Sequence, residues 1–157
     1  MKRTALIVGI AVLVAGAAQA QQGPKPEDLI KYRQAGYKFM AWNTGRIKAN
    51  LDGSYNKDEV VKAANTIAAI ANSGMGALYA SGTEKAVGGA FTHVKPELFT
   101  DKEGVGKVAA AFNKEANELA RVAAVGDAAA VKAQFGKLVE SCKACHKDYR
   151  VDEKHDH

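Results

Sequence analysis

The sequence predicts an all-α fold built from four helices. Beyond the first 20 residues no segment alternates cleanly between apolar and polar residues, and proline occurs only at positions 24, 26 and 96. Four segments instead carry apolar residues at helical spacing, each bounded by capping residues or glycine. At 157 residues the chain can bury one core, so we expect a single domain over residues 21–157.

The first 20 residues have the composition of a secretory signal peptide. Lys2 and Arg3 precede an apolar run over residues 5–16, and Ala18-Gln19-Ala20 supplies a small-x-small cleavage pattern. The run is too short for a transmembrane anchor, so we expect cleavage before Gln21, export to the periplasm and no membrane insertion. Without Lys2 and Arg3 the formal net charge falls from +5 to +3, with acids interspersed among the bases, which argues against a nucleic-acid partner.

The first predicted helix runs over about residues 25–45, from the turn that holds Pro26 to a stop at Gly45. Its predicted core stripe consists of Leu29, Tyr32, Gly36 and Met40. Arg33 and Tyr37 flank this stripe, where they would face the edge of the core.

Apolar residues also lie outside the core stripe of the first helix. Phe39 and Trp42 share this second face, with Ile30 nearby. Two aromatic side chains on one exposed helix face suit a partner, so we expect a homodimer.

The second predicted helix begins at a capping box in which Asn56 precedes Glu59 by three residues, and it ends before Gly74. The connection over residues 74–99 is long and rich in glycine, which indicates a segment that is functional or packed against another part of the molecule. The third predicted helix begins at a second capping box, Thr100 with Glu103.

The fourth predicted helix follows the third almost at once, because Gly126 breaks one and Asp127 caps the other. So short a loop makes the two helices antiparallel neighbours. One face of the fourth helix carries Val131, Phe135, Leu138, Cys142, Cys145 and Tyr149. His146 lies one turn from Cys142, on the flank of that face.

Residues 142–146 form Cys-x-x-Cys-His, the attachment motif of c-type haem. The two thiols add across the porphyrin vinyl groups, and the adjacent imidazole coordinates the iron. Three alternatives compete: a disulfide, which a helix would strain; a thioredoxin-type redox pair, which would follow a strand; and a zinc site. Zinc needs four ligands, and only His93, His155 and His157 remain as further imidazoles. We therefore predict one covalent haem c per chain, with His146 as the metal ligand.

An exported chain of this length, with four helical stripes and this motif near its C-terminus, resembles the cytochrome c′ family. The segments that carry the resemblance are Lys25-Pro26-Glu27-Asp28, Lys31-Tyr32-Arg33-Gln34, Ser81-Gly82-Thr83-Glu84, and Ser141 to His146 followed by Tyr149-Arg150. The resemblance implies an antiparallel four-helix bundle with covalently bound haem and a five-coordinate iron.

The resemblance also implies roles for residues around the haem. Tyr37 matches the residue that covers the open iron position, Arg33 the basic residue near the propionates, and Arg150 the basic residue beside the proximal histidine. The expected haem-binding residues are Cys142, Cys145, His146, Arg33, Gln34, Tyr37, Thr83, Glu84, Phe135 and Arg150.

The function implied by the resemblance is electron transfer, binding of nitric oxide and carbon monoxide, or both, with an unknown redox partner. The alternative is a haem enzyme, such as a weak peroxidase or a nitric oxide reductase. A peroxidase needs a distal acid–base group, usually His with Arg, and the first helix contains no His. We expect no enzymatic activity.

Overall fold

A computed structural model describes residues 23–151, so the predicted signal peptide and the charged tail after Val151 lie outside the described residues. The helices are α1 (Pro26–Asp52), α2 (Lys57–Ala71), the short α3 (Glu97–Thr100), α4 (Lys102–Val125) and α5 (Ala128–Tyr149), with a 3-10 turn at Met75–Leu78. Within residues 23–151 no strand forms, which confirms the all-α prediction. None of these helices is long and apolar enough to cross a bilayer.

Four long helices form the predicted bundle. Close backbone contacts join α1 to α2, α2 to α4 and α4 to α5, while α1 and α5 share no comparable contact in the described chain. The core between these helices is apolar, and its fully buried side chains include Ile47, Val60, Ile67, Leu119, Val131 and Leu138. Burying a side chain of this size stabilises the fold by about 1.5–3 kcal/mol.

Helix α1 differs from its prediction in length and in phase. It continues through Gly45 to Asp52, because Ile47 and Asn50 are buried against the rest of the bundle. The buried face carries Ile30 and Arg33, whereas Tyr32, which was predicted to face the core, is 60% exposed. Arg33 is buried because its partners lie in the connection after α2, which the periodicity of α1 does not reveal.

The helix caps were predicted in part. Asn56 Oδ1 accepts the Glu59 amide at 3.2 Å as expected, but the Asn56 amide donates to Asn50 Oδ1 instead of to Glu59. The N-cap of α4 is Asp101, whose carboxylate accepts the Gly104 amide, so the prediction of Thr100 was wrong by one residue. Asp127 caps α5 through the Ala130 amide, as predicted.

Candidate functional site

The two cysteines of the Cys-x-x-Cys-His motif lie in the last two turns of α5, three residues apart, where their side chains share one face. Both thiols are free and half-buried. Burial is the main cause that raises the pKa of Cys142 and of Cys145 above the ordinary value. A thioredoxin-type pair needs a lowered thiol pKa, so these surroundings do not suit that alternative.

His146 follows Cys145 directly and lies one turn beyond Cys142 on α5. Its side chain is exposed, on the flank of the thiol face, and does not point into the core. Partial desolvation, followed by the charge of Arg150, lowers the pKa of His146 and favours the neutral imidazole that binds metals. Within residues 23–151 no cluster of three or more His, Cys, Asp or Glu is arranged to hold a metal ion, so the zinc alternative finds no further ligands there.

Tyr37, on α1, lies within electrostatic range of the two thiols of α5. Desolvation of its hydroxyl is the largest cause that raises the pKa of Tyr37, and the nearby charges of Cys145 and Cys142 contribute to the same shift. These charge effects place Tyr37 and both motif cysteines in one neighbourhood of the molecule, which we call the cluster. The Tyr37 residue is 42% exposed.

Tyr79 completes this cluster from the connection after α2. Its hydroxyl donates to the Tyr37 hydroxyl at 3.3 Å, and burial strongly raises the pKa of Tyr79. No sequence pattern indicated this residue. Tyr37 and Tyr79 are 42 positions apart, and Tyr79 lies in a segment without helical periodicity.

Arg33 holds the connection against α1. Its guanidinium is 2% exposed and donates to Thr83 Oγ1 at 2.8 Å, to the Thr83 carbonyl at 2.8 Å and to Thr92 Oγ1 at 2.7 Å. It also donates to the Leu78 carbonyl at 3.3 Å. Desolvation lowers the pKa of Arg33, although so basic a group stays charged. The connection therefore packs against α1 around a buried cation.

A methionine of the 3-10 turn packs against α1 at Gly36. A Cβ at Gly36 would lie 2.9 Å from Met75 Cε and 3.1 Å from Met75 Sδ, so the glycine leaves room for this side chain next to Tyr37. Met40, which lies on α1 itself, is buried in the core.

A cleft of about 430 Å³ opens between α1 and α5, where the two helices lack close contact. It is lined by Thr44, Gly45, Lys48, Leu51, Asp52, Lys132, Phe135, Gly136, Val139 and Glu140. Phe135 lies seven residues, or about 10 Å along the helix, before Cys142. The cleft therefore occupies the far end of the α1/α5 groove, and the haem contact predicted for Phe135 stays a prediction.

The remaining predicted site residues border the cluster. Gln34 donates to the Phe91 carbonyl at 2.6 Å, and Glu84 accepts the Gly82 amide at 2.8 Å. Glu84 also lies near enough to Arg33 to affect its pKa. Arg150 forms the C-cap of α5 and pairs with Val94 in an isolated β-bridge. Their contacts with haem remain predictions.

The residues present fit a c-type haem. The thiols share one face of one helix, the imidazole follows directly, and α1 and α5 stand apart instead of packing closely. Burial raises both thiol pKa values, and Tyr37 of α1 lies near enough to the thiols for their charges to affect its pKa. Cys142 and Cys145 would hold the porphyrin, and His146 would supply the imidazole nitrogen that binds its iron.

The chain is similar to known proteins over almost its whole described length. A family model described as Cytochrome C′ matches residues 28–150. A cytochrome c′ of Rhodocyclus tenuis is 66% identical over 127 residues, covering 80% of this chain and 96% of the relative.

Solved structures agree with this similarity. A cytochrome c′ described as showing an unusual ligand-controlled dimer dissociation has a TM-score of 0.82 and 58% identity, covering 83% of this chain and all of the other. A cytochrome c prime from Alcaligenes xylosoxidans was solved as a ferrous variant with nitric oxide bound, with a TM-score of 0.74 and 27% identity over 84% of this chain and all of that one. Another variant of the same protein was solved with carbon monoxide bound, at 28% identity and a TM-score of 0.73 over 83% of this chain and all of that one.

Proposed function

Because this chain belongs to the cytochrome c′ family, and so binds c-type haem covalently, we propose that it is a periplasmic haem protein whose five-coordinate iron binds nitric oxide and carbon monoxide and also carries electrons. The observation that carries the proposal is the arrangement of two free, half-buried thiols and a following imidazole near the end of α5, with α1 not packed closely against that helix. The gas complexes of the Alcaligenes xylosoxidans relative support the choice of ligands.

Each residue of the cluster has a proposed task. Cys142 and Cys145 attach the porphyrin, and His146 is its single protein ligand. When bound, the haem supplies an iron that changes oxidation state and accepts a diatomic ligand. Tyr37 covers the open position, and Arg33 supplies positive charge near the propionates.

Enzymatic turnover is not part of the proposed function. Peroxide cleavage needs a distal base, and α1, which carries Tyr37, contains no histidine. The hydrogen-bond partner of Tyr37 is a second phenol, and burial raises the pKa of Tyr79 so that it stays protonated. The guanidinium of Arg33, on α1, already donates to four acceptors in the connection. A haem-loaded sample that turned over hydrogen peroxide at the rate of a peroxidase would contradict this view.

Mass spectrometry and optical spectra test the proposal directly. The purified periplasmic protein should begin at Gln21, weigh one haem more than its sequence, and keep the haem through acid–acetone extraction. The reduced protein should be high-spin and should bind both gases.

Met75→Leu should leave the spectrum unchanged, because Met75 packs against Gly36 and is not an iron ligand. A low-spin wild-type spectrum with a sulfur-to-iron band, lost in Met75→Leu, would overturn the five-coordinate assignment.

A homodimer is part of the same proposal. Phe39 and Trp42 are 51% and 56% exposed on α1, and their rings stack with centroids 5.5 Å apart. Arg46 lies over the Trp42 ring, 4.9 Å from its centroid. A contiguous exposed aromatic surface of this kind suits a protein partner, and the relative with ligand-controlled dimer dissociation makes a second copy the natural candidate.

A further inference from the structure

The phenol pair of Tyr37 and Tyr79 connects two parts of the molecule that are distant in sequence. Tyr79 follows the 3-10 turn Met75–Leu78 directly, and its hydroxyl donates to Tyr37 at 3.3 Å. Among the described residues, this hydroxyl is the hydrogen-bond partner that the structure gives to Tyr37. The position of the Tyr37 ring is therefore tied to the connection as well as to α1.

Tyr79 is itself held firmly. The Arg33 guanidinium lies 4.7 Å from the centroid of its ring, and Phe99 packs against it at 6.2 Å between centroids with a tilt of 59°. Arg33 is fixed in turn by its bonds to Thr83 and Thr92. The contacts with a cation and with a second ring hold the Tyr79 ring in place, whereas Tyr37 is 42% exposed.

We propose that Tyr79 is a positioning residue that latches Tyr37 over the open iron position, so that a diatomic ligand must break the phenol pair before it binds. This inference rests on the proposed function, which supplies the open iron and the covering ring. The latch increases the free energy needed to displace Tyr37 by the free energy of one neutral hydrogen bond.

The chemistry of the pair suits a latch. Desolvation is the largest cause that raises the pKa of both phenols, so both stay protonated and Tyr79 keeps the proton that it donates. A fixed displacement cost lowers the affinity for every ligand by the same factor. The weaker ligand, carbon monoxide, falls below useful affinity first, and nitric oxide still binds.

The sharpest variant is Tyr79→Phe. It keeps the ring between Arg33 and Phe99 and removes only the hydroxyl. We expect the carbon monoxide affinity of the haem-loaded protein to rise about two- to fivefold, the range set by one weak hydrogen bond, with faster association. The matched control is Tyr32→Phe, which removes a hydroxyl from a 60% exposed tyrosine of α1 and should change nothing.

A double-mutant cycle separates a latch from a general structural effect. If the hydroxyls act on each other, Tyr79→Phe should have no further effect in a Tyr37→Phe background. Ultraviolet resonance Raman spectra give a readout independent of affinity: the tyrosine hydrogen-bond signature should change on carbon monoxide binding in the wild type, and this change should be absent in Tyr79→Phe.

Two results would overturn the latch in different ways. If Tyr37→Ala raises carbon monoxide affinity and Tyr79→Phe does not, or if the two Phe variants act additively, the ring still covers the iron but Tyr79 does not hold it. If Tyr37→Ala leaves the affinity unchanged, the covering role of Tyr37 fails, and with it both the latch and this part of the proposed function.

Discussion

Tyr37 has a desolvated hydroxyl and a ring that is 42% exposed, which is what a side chain at the border between a covered site and solvent should show. A side chain in such a position can swing outwards without opening the core. The core residues of α1 on either side of it in the sequence, Ile30 and Met40, are buried.

Changing Tyr37→Ala should raise the affinity for carbon monoxide about tenfold, because the ligand no longer displaces a ring; a tenfold change corresponds to about 1.4 kcal/mol. Carbon monoxide titrations of the haem-loaded wild type and variant measure the difference. Helicity and haem content should not change, since half of the ring already faces solvent. Equal affinities would mean that Tyr37 does not cover the iron.

Arg33 is the buried charge on which the connection depends. Replacing it by methionine, Arg33→Met, keeps much of the volume but leaves the hydroxyl and carbonyl of Thr83 and the hydroxyl of Thr92 without their donor. We expect a loss of about 2–4 kcal/mol in the free energy of unfolding, because buried acceptors that lose a charged partner are costly. Denaturant unfolding of the haem-loaded protein measures it.

The matched control for Arg33→Met is Arg121→Met. Arg121 pairs with Glu118 on the exposed surface of α4, and exposed pairs within one helix turn contribute little. Its loss should not measurably change unfolding. A similar loss in both variants would mean that the bonds of Arg33 do not stabilise the connection.

At the scale of the helices, one carboxylate joins the start of α4 to the end of α5. Asp101 accepts the Gly104 amide at 2.8 Å and the Tyr149 hydroxyl at 2.6 Å. This approach requires glycine at position 104, because a Cβ there would collide with Asp101 and with Tyr149. The bond to Asp101 is also the main cause that raises the pKa of Tyr149 to about 12. The last turn of α5, which follows the two haem-motif cysteines, is anchored in this way.

Asp101→Ala should destabilise the protein more than Asp127→Ala. Both changes remove an N-cap, whose loss typically costs about 1 kcal/mol at a site such as Asp127, but only Asp101→Ala also releases Tyr149. Thermal unfolding of the two haem-loaded variants makes the comparison. An equal or larger effect at Asp127 would show that the bond to Tyr149 contributes nothing.

The same carboxylate makes stability depend on pH. The hydrogen bond from Tyr149, followed by that from the Gly104 amide, lowers the pKa of Asp101 below 3.8. A lowered folded-state pKa gives stability that is complete above the unfolded value and is lost as the pH falls through the folded value. Between about pH 5 and about pH 3, Asp101→Asn should therefore lose less stability than the wild type. Parallel acid titrations followed by circular dichroism test this.

For the whole molecule, the exposed aromatic face of α1 is the surface that the proposed dimer would bury. Trp42→Ser should dissociate the proposed dimer, because a buried aromatic anchor commonly contributes 2 kcal/mol or more to an interface, which weakens association by about thirtyfold. Sedimentation of the haem-loaded protein at micromolar concentration measures the mass. Phe91→Ser is the control, since Phe91 is 71% exposed but belongs to the connection and is not part of the Phe39–Trp42 stack. A wild type that sediments as a monomer would remove the proposal.

Several features of this protein were determined by the sequence alone. The spacing of Cys142, Cys145 and His146 fixed the cofactor, because the haem vinyl groups and iron demand those residues in that order. The four helical stripes, with the cap at Asn56, fixed the number of long helices. The cap at Asp127 fixed the sharp α4–α5 turn. These signals are local, so neighbouring positions are sufficient to read them.

Only the tertiary structure decided which face of α1 is buried and what meets Tyr37. Arg33 turns inwards because Thr83 and Thr92 come to it from a connection 50 or more positions away, and Tyr32 is exposed as a result. Tyr79 reaches Tyr37, and Tyr149 reaches Asp101, across 42 and 48 positions. The path of an irregular segment depends on the buried polar groups that it must satisfy, and periodicity does not encode that path.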